Sequence, residues 1–277
     1  MKVKNLFVII ISLILLISVC VFAFNKINKK EAENQKIPVL MYHHLLKEND
    51  KKENGVFKDK ETILSVEQFE KQMKYLNDKG YKTITMKEFE EYMKNKRELS
   101  EKSVLITFDD SSKTNYTYAY PILKKYKMKA TAFVVTSRLT DKEEVFDPKK
   151  IQPLSKHEIN KMKDVFEFGS YTHDLFKLNK NGEAYLVSQP DSVVKEDLSM
   201  SKSILKTDYF AYPFGEYNEK SISLLNEIKF NLAFTNNQGY ANRTNKSMEI
   251  KRFPISPEVD MKKFSEVLSG IYKVPEK

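Results

Sequence analysis

Two carboxylates stand side by side at Asp109 and Asp110, directly after the apolar run Ser103 to Phe108. Adjacent carboxylates can divide labour, one binding a metal ion while the other takes a proton from the metal's water. Side chains alternate along a strand, so both can face one cavity only where the strand ends and the chain turns. An Asp pair so placed can equally cap the turn that follows. Other polar clusters also fall at the ends of strand-like runs: His43 and His44 after Ile37 to Tyr42, Tyr171 to Asp174 after Val165 to Ser170, and Pro213-Phe214-Gly215 after Tyr209 to Tyr212. A lone histidine after a strand is more often a hydrogen-bonded structural residue. Coincident clusters argue instead for one shared rim, the place where barrels of parallel strands carry their active sites.

Such a rim requires strands that alternate with helices. Besides those runs, Lys82 to Thr85, Ala130 to Thr136, Asn231 to Thr235 and Glu249 to Phe253 read as strands, several of them continuously apolar and therefore covered on both faces. Ser65 with Gln68, Thr85 with Glu88 and Ser155 with Glu158 give capping-box entries to helices, and Gly80 closes the first of these. Further helices are expected over Tyr116 to Tyr126, with Pro121 as a kink or late start, and over Ser192 to Leu205, Asn218 to Ile228 and Met261 to Leu268. Some eight strands in strict alternation with helices predict an α/β fold, a (β/α) barrel that is incomplete or distorted if a strand is missing. Lys47 to Glu61, charged and without periodicity, reads as a surface loop.

With 277 residues and 41% apolar content, the chain can bury one barrel-sized core. Its only cysteine, Cys20, lies inside the unbroken apolar stretch Leu6 to Phe24, so no disulfide framework can form. That stretch has lysines on both sides and nearly spans a bilayer's hydrocarbon core. It is expected to be an uncleaved signal anchor, with removal at Val21-Phe22-Ala23 as the alternative; the bulky Val19 argues against a lipoprotein. The expected organisation is 1–5 cytoplasmic, 6–24 in the membrane, 25–36 a polar tether and 37–277 one extracytoplasmic domain. Of the formal charge of +9, about three lie beside the anchor, and the other lysines are interspersed with glutamates as on a solvated helix face. With so few arginines, nucleic-acid binding is not expected.

IPVLMYHHLL, SVLITFDDS, AYPILKKYKMKATAFVV, EFGSYTHDLF, FAYPFGEYN and IKRFPI, in this order, resemble the polysaccharide deacetylase family, carbohydrate esterase family four. Within it the likeness is to poly-N-acetylglucosamine deacetylases, and it covers nearly everything from Ile37 to Ile255. The resemblance implies Asp109 as general base, Asp110 as ligand of a divalent metal, usually zinc, and His43 as the general acid that protonates the leaving amine. The backbone N–H in the Pro213-Phe214-Gly215 turn would face the oxyanion, with Phe214 and Tyr212 on the substrate. Phe214 replaces a tyrosine common in the family, and Ser111 replaces a frequent glycine.

The serious departure is in EFGSYTHDLF, where relatives carry metal-binding histidines at the positions of Tyr171 and Phe176. Phenylalanine has no donor atom, and tyrosine could serve only as a phenolate, from an unperturbed pKa of about 10. Zinc generally needs three protein ligands, so Asp110 alone would not hold it. His173, with Asp174 or His44, would have to complete a substitute set, although near relatives can carry a histidine there beside their own ligands. Aromatic residues at the rim, notably Tyr116, Tyr118, Phe176, Tyr212 and Phe214, are candidates for a sugar-stacking platform. The resemblance thus implies an N-acetylated polysaccharide as partner, deacetylated if metal binding survives; the alternative is a glycan-binding or scaffolding pseudoenzyme.

Overall fold

The computed structural model describes residues 35–53, 57 and 60–275. The expected anchor at 6–24 and nearly all of the tether lie outside them, and no helix among the described residues is long and apolar enough to cross a membrane. The strands are β1 (Val39–Tyr42), β2 (His44–Leu46), β3 (Ile63–Ser65), β4 (Lys82–Thr83), β5 (Ser103–Phe108), β6 (Ala130–Val134), β7 (Phe166–Ser170), β8 (Tyr209–Ala211), β9 (Leu232–Gln238) and β10 (Ile250–Pro254). The α-helices are α1 (Glu48–Glu53), α2 (Val66–Asp78), α3 (Met86–Met93), α4 (Tyr120–Lys125), α5 (Lys156–Met162), α6 (Tyr185–Ser188), α7 (Asp191–Leu205), α8 (Glu219–Glu227) and α9 (Met261–Leu268).

Among the described residues, parallel strands in the order β1-β10-β9-β8-β7-β6-β5 close into a seven-membered barrel, shut by Val39 to Tyr42 of β1 pairing with Leu105 to Phe108 of β5. The eighth expected strand, β4, pairs only with the start of β5, so the barrel is of the incomplete kind. Period-two alternation sorts its residues into two layers. Leu40, Tyr42, Ile106 and Phe108 point outward onto Phe69, Met73 and Leu76 of α2, while Val39, Leu105, Phe133, Phe234 and Ile250 fill the interior. From α3, Met86, Phe89 and Tyr92 join the inner layer and plug the end opposite the rim.

Inside the barrel Gly169 is placed by a close approach: a Cβ there would lie 2.5 Å from the Phe133 ring. Gly169→Ala is expected to lower stability by about 1–3 kcal/mol through overpacking. A thermal melt indistinguishable from the parent would show that Phe133 can move aside.

Local chemistry explains most boundaries. Thr85 with Glu88 and Ser155 with Glu158 form the full reciprocal caps of α3 and α5. Ser65 accepts from the Gln68 N–H, but the Gln68 side chain is drawn away to the carbonyls of Pro257 and Val259, so that box is half made. Pro121 follows just after the π-helical stretch Asn115–Ala119 within a helical run that begins at Lys113, and the wider turn before it accommodates a residue that has no N–H to give. The segment read as a loop from Lys47 begins with α1 and is flanked by the parallel pair β2 and β3, which lie outside the barrel.

Candidate active site

The ends of β1, β5, β7, β8 and β10 converge on one rim, and the acid pair lies there. Asp109 is completely buried and held by Arg252 of β10, whose two terminal nitrogens each donate to one carboxylate oxygen at 2.8 Å. The rest of the guanidinium donates to the Thr235 carbonyl at 2.9 Å, Thr107 Oγ1 at 3.3 Å and Asn236 Oδ1 at 3.1 Å. Every donor of this buried fork thus has an acceptor, the condition under which an interior ion pair is tolerated.

Beyond Asp109 the chain turns through two consecutive left-handed residues, Asp110 at φ 73° and Ser111 at φ 57°. This turn brings both carboxylates to the same cavity. It explains why glycine suits the Ser111 position; here the serine Oγ accepts from the Val135 N–H at 2.6 Å and anchors the strained backbone. The Asp110 side chain keeps 19% of its surface exposed, and His44 Nε2 lies 3.6 Å from its Oδ2. The other ring nitrogen of His44 is fixed on Ser112 Oγ at 2.8 Å. Burial pushes the Asp110 carboxyl up, but the His44 hydrogen bond and the charges of His43, His44 and Arg138 outweigh it and hold the group below its usual range. His43, expected as general acid, is half-buried at the same rim and acts on Asp110 by charge, whereas the direct contact belongs to His44.

Aromatic rings occupy the places implied for the metal's imidazoles. Tyr171 is 2% exposed, and burial, reinforced by Asp109 and Asp110, pushes its phenol well above the ordinary value; Arg252 and the Phe214 backbone oppose this only weakly. Burial thus makes Tyr171 poorly suited to bind a metal as a phenolate. Its ring packs on Phe176 with centroids 5.2 Å apart, and Phe176 stacks on Phe214 at 4.7 Å with planes 7° apart. The guanidinium of Arg138 lies over the Phe176 ring at 4.6 Å.

The expected substitute ligands do not gather. His173 Nδ1 bonds to Thr136 Oγ1 at 2.8 Å, and Asp174 pairs with Lys177 at 2.5 Å. The backbone N–H groups of His173 and Asp174 are both taken by Asp197, which fixes this loop to α7. Among the described residues no group of three His, Cys, Asp or Glu side chains is placed to hold a metal ion. The donors present do not fit zinc.

Of the aromatic candidates, only Phe176 and Phe214 meet at the rim. Tyr212 is fully buried with its hydroxyl on the Met248 carbonyl, which removes it from any substrate surface. Tyr116 stacks on Tyr120, and Tyr118 packs edge-on against Phe146. Two arginines at this rim, Arg252 and Arg138, are not among the residues that the sequence points to. The signal for Arg252 was available: an arginine inside an apolar strand must find a buried anion. Arg138 lies in a polar turn and carries no such signal.

A closed barrel of parallel strands, with an acid pair, histidines and a strained turn at one rim, defines the class. The description "Polysaccharide deacetylase" matches residues 96–233 as a family. The chain is 30% identical over 256 residues to a poly-β-1,6-N-acetyl-D-glucosamine N-deacetylase of Staphylococcus aureus, covering 85% of this chain and 87% of the relative. Among solved structures, the deacetylase PplD of Streptococcus pyogenes in complex with acetate superposes with a TM-score of 0.71 at 26% identity, covering 84% of this chain and 98% of that one. IcaB from Ammonifex degensii gives a TM-score of 0.71 at 25% identity, covering 85% and 97%. The chain belongs to the polysaccharide deacetylase family.

Proposed function

We propose that this protein recognises an N-acetylglucosamine-type polysaccharide at the barrel rim, and that it does so without hydrolysing acetamides by the metal-assisted route. One observation carries the second clause. Tyr171 and Phe176, packed ring against ring with centroids 5.2 Å apart, fill the positions implied for the metal ligands, and among the described residues no three metal-binding side chains gather in their place. The glycan class rests on the relatives, which are N-deacetylases of poly-β-1,6-N-acetyl-D-glucosamine. The proposal extends to location: the apolar run Leu6 to Phe24 would hold the domain at the outer face of a membrane, unless that run is removed as a signal peptide.

A second reading, acetamide hydrolysis, is favoured by the intact Asp109–Arg252 pair, Asp110 and the two rim histidines. Acetate release from acetylated poly-glucosamine, measured with and without a chelator, separates the two. Binding that survives the chelator, with acetate at the level of the protein-free blank, is the expected result. Chelator-sensitive acetate release would establish the second reading.

A further inference from the structure

The disagreement between the rim's donors and zinc changes what the groove attracts. Replacing a divalent ion by neutral rings removes the positive charge that would have drawn an acetyl oxygen. Asp109 is matched by Arg252 in a bidentate pair, whereas Asp110 has its direct contact with His44 at 3.6 Å, feels His43 and Arg138 only through their charge, and remains partly open to the groove. Beside it stand the Tyr171, Phe176 and Phe214 rings, with Phe214 39% exposed. A carboxylate next to aromatic faces is the surroundings that a primary ammonium seeks, combining an ion pair with cation–π attraction. The chain demonstrates the preference on itself, since the exposed Arg138 lays its guanidinium 4.6 Å over the Phe176 ring.

An acetamide fares worse in the same place. The divalent ion that would draw its carbonyl oxygen has no ligand set among the described residues, and its neutral N–H can offer Asp110 a hydrogen bond but no ion pair. We infer that the groove selects free-amine glucosamine residues over N-acetylglucosamine residues, so that the protein reads the deacetylated stretches of the polysaccharide. This deepens the glycan reading above and rests on it. The amine would donate to Asp110, the sugar's C–H face would pack on Phe214 and Phe176, and Arg138 would yield its place.

The test is calorimetric titration of the full-length protein with β-linked glucosamine oligomers and with the fully N-acetylated oligomers of the same length. The amine form is expected to bind at least about tenfold tighter, with affinity falling as salt rises. Asp110→Asn should bring the two affinities together. Arg138→Gln, at an exposed position, should tighten the amine form by removing a competing cation, and it keeps the test open if Asp110→Asn does not fold. Equal affinities, a preference for the acetylated oligomer, or weaker amine binding by Arg138→Gln would each overturn the inference while leaving the glycan reading standing. Binding of neither oligomer would sink the glycan reading itself.

Discussion

Arg252→Met is expected to destabilise the protein by about 3–5 kcal/mol, because it leaves Asp109 charged in the barrel interior without a partner. Both residues are completely buried, so water cannot take over the lost interactions. The Thr235 carbonyl, Thr107 Oγ1 and Asn236 Oδ1 lose a donor in the same step, which adds to the cost. Methionine matches much of the arginine stem in volume, so a cavity is a minor part of the effect. Denaturant unfolding checks the size, and a second variant checks the cause. Asp109→Leu combined with Arg252→Met removes the orphaned charge together with its partner and should be more stable than Arg252→Met alone. If Arg252→Met unfolds at the parent's midpoint, or if the double variant is the weaker of the two, the pair does not hold the site as described.

The layout of the barrel was legible because it rests on repeats that the chain displays openly. Ser103 to Phe108 is largely apolar and is buried at every residue, and Met261–Leu268 carries its helical stripe from end to end. Where expectation and structure part, a longer-range contact decides. β9 runs on to Gln238, beyond the apolar stretch, since it pairs with β10 on one side. β4 stops after two residues because it has a neighbour only in β5. β2 and β3 escaped notice since a three-residue pair shows no period.

The rim was only half legible, for a different reason. Its residues sit in turns with left-handed backbones at Asp110, Ser111, Thr172 and Phe214, and no glycine marks these positions in the sequence. Such conformations cost about 1–3 kcal/mol each and persist only where surrounding bonds over-determine them. At Ser111 the Val135 N–H does this, and at Phe214 the stack on Phe176 contributes. The replacements at Tyr171 and Phe176 could be read from the chain as a lost ligand pair. That Phe176 would stack on Phe214 and pack against Tyr171 follows only from three-dimensional contact.

Tyr171→His combined with Phe176→His is expected to convert this rim into a zinc site. Two imidazoles would then join Asp110, giving the three protein ligands that zinc requires. The apo form of this variant should be less stable than the parent, since a polar ring replaces a nearly fully buried one. Zinc reverses the order. At free metal a thousandfold above the dissociation constant, binding to the folded state alone stabilises it by about 4 kcal/mol. For a chain of this size that corresponds to a rise of roughly 8 °C or more in melting temperature. The parent should show no such rise, and Phe176→His alone only a small one, because its tyrosine still blocks the second position. A zinc-dependent shift in the parent would mean that other side chains hold the metal, and the aromatic rim would lose its meaning as a replacement. A folded double variant that ignores zinc would show instead that Asp110 and the two rings do not share one centre. If the variant takes zinc, the same titration with glucosamine oligomers supplies a stricter test of the charge argument: the incoming divalent ion should abolish the preference for the amine, since it occupies the carboxylate on which that preference depends.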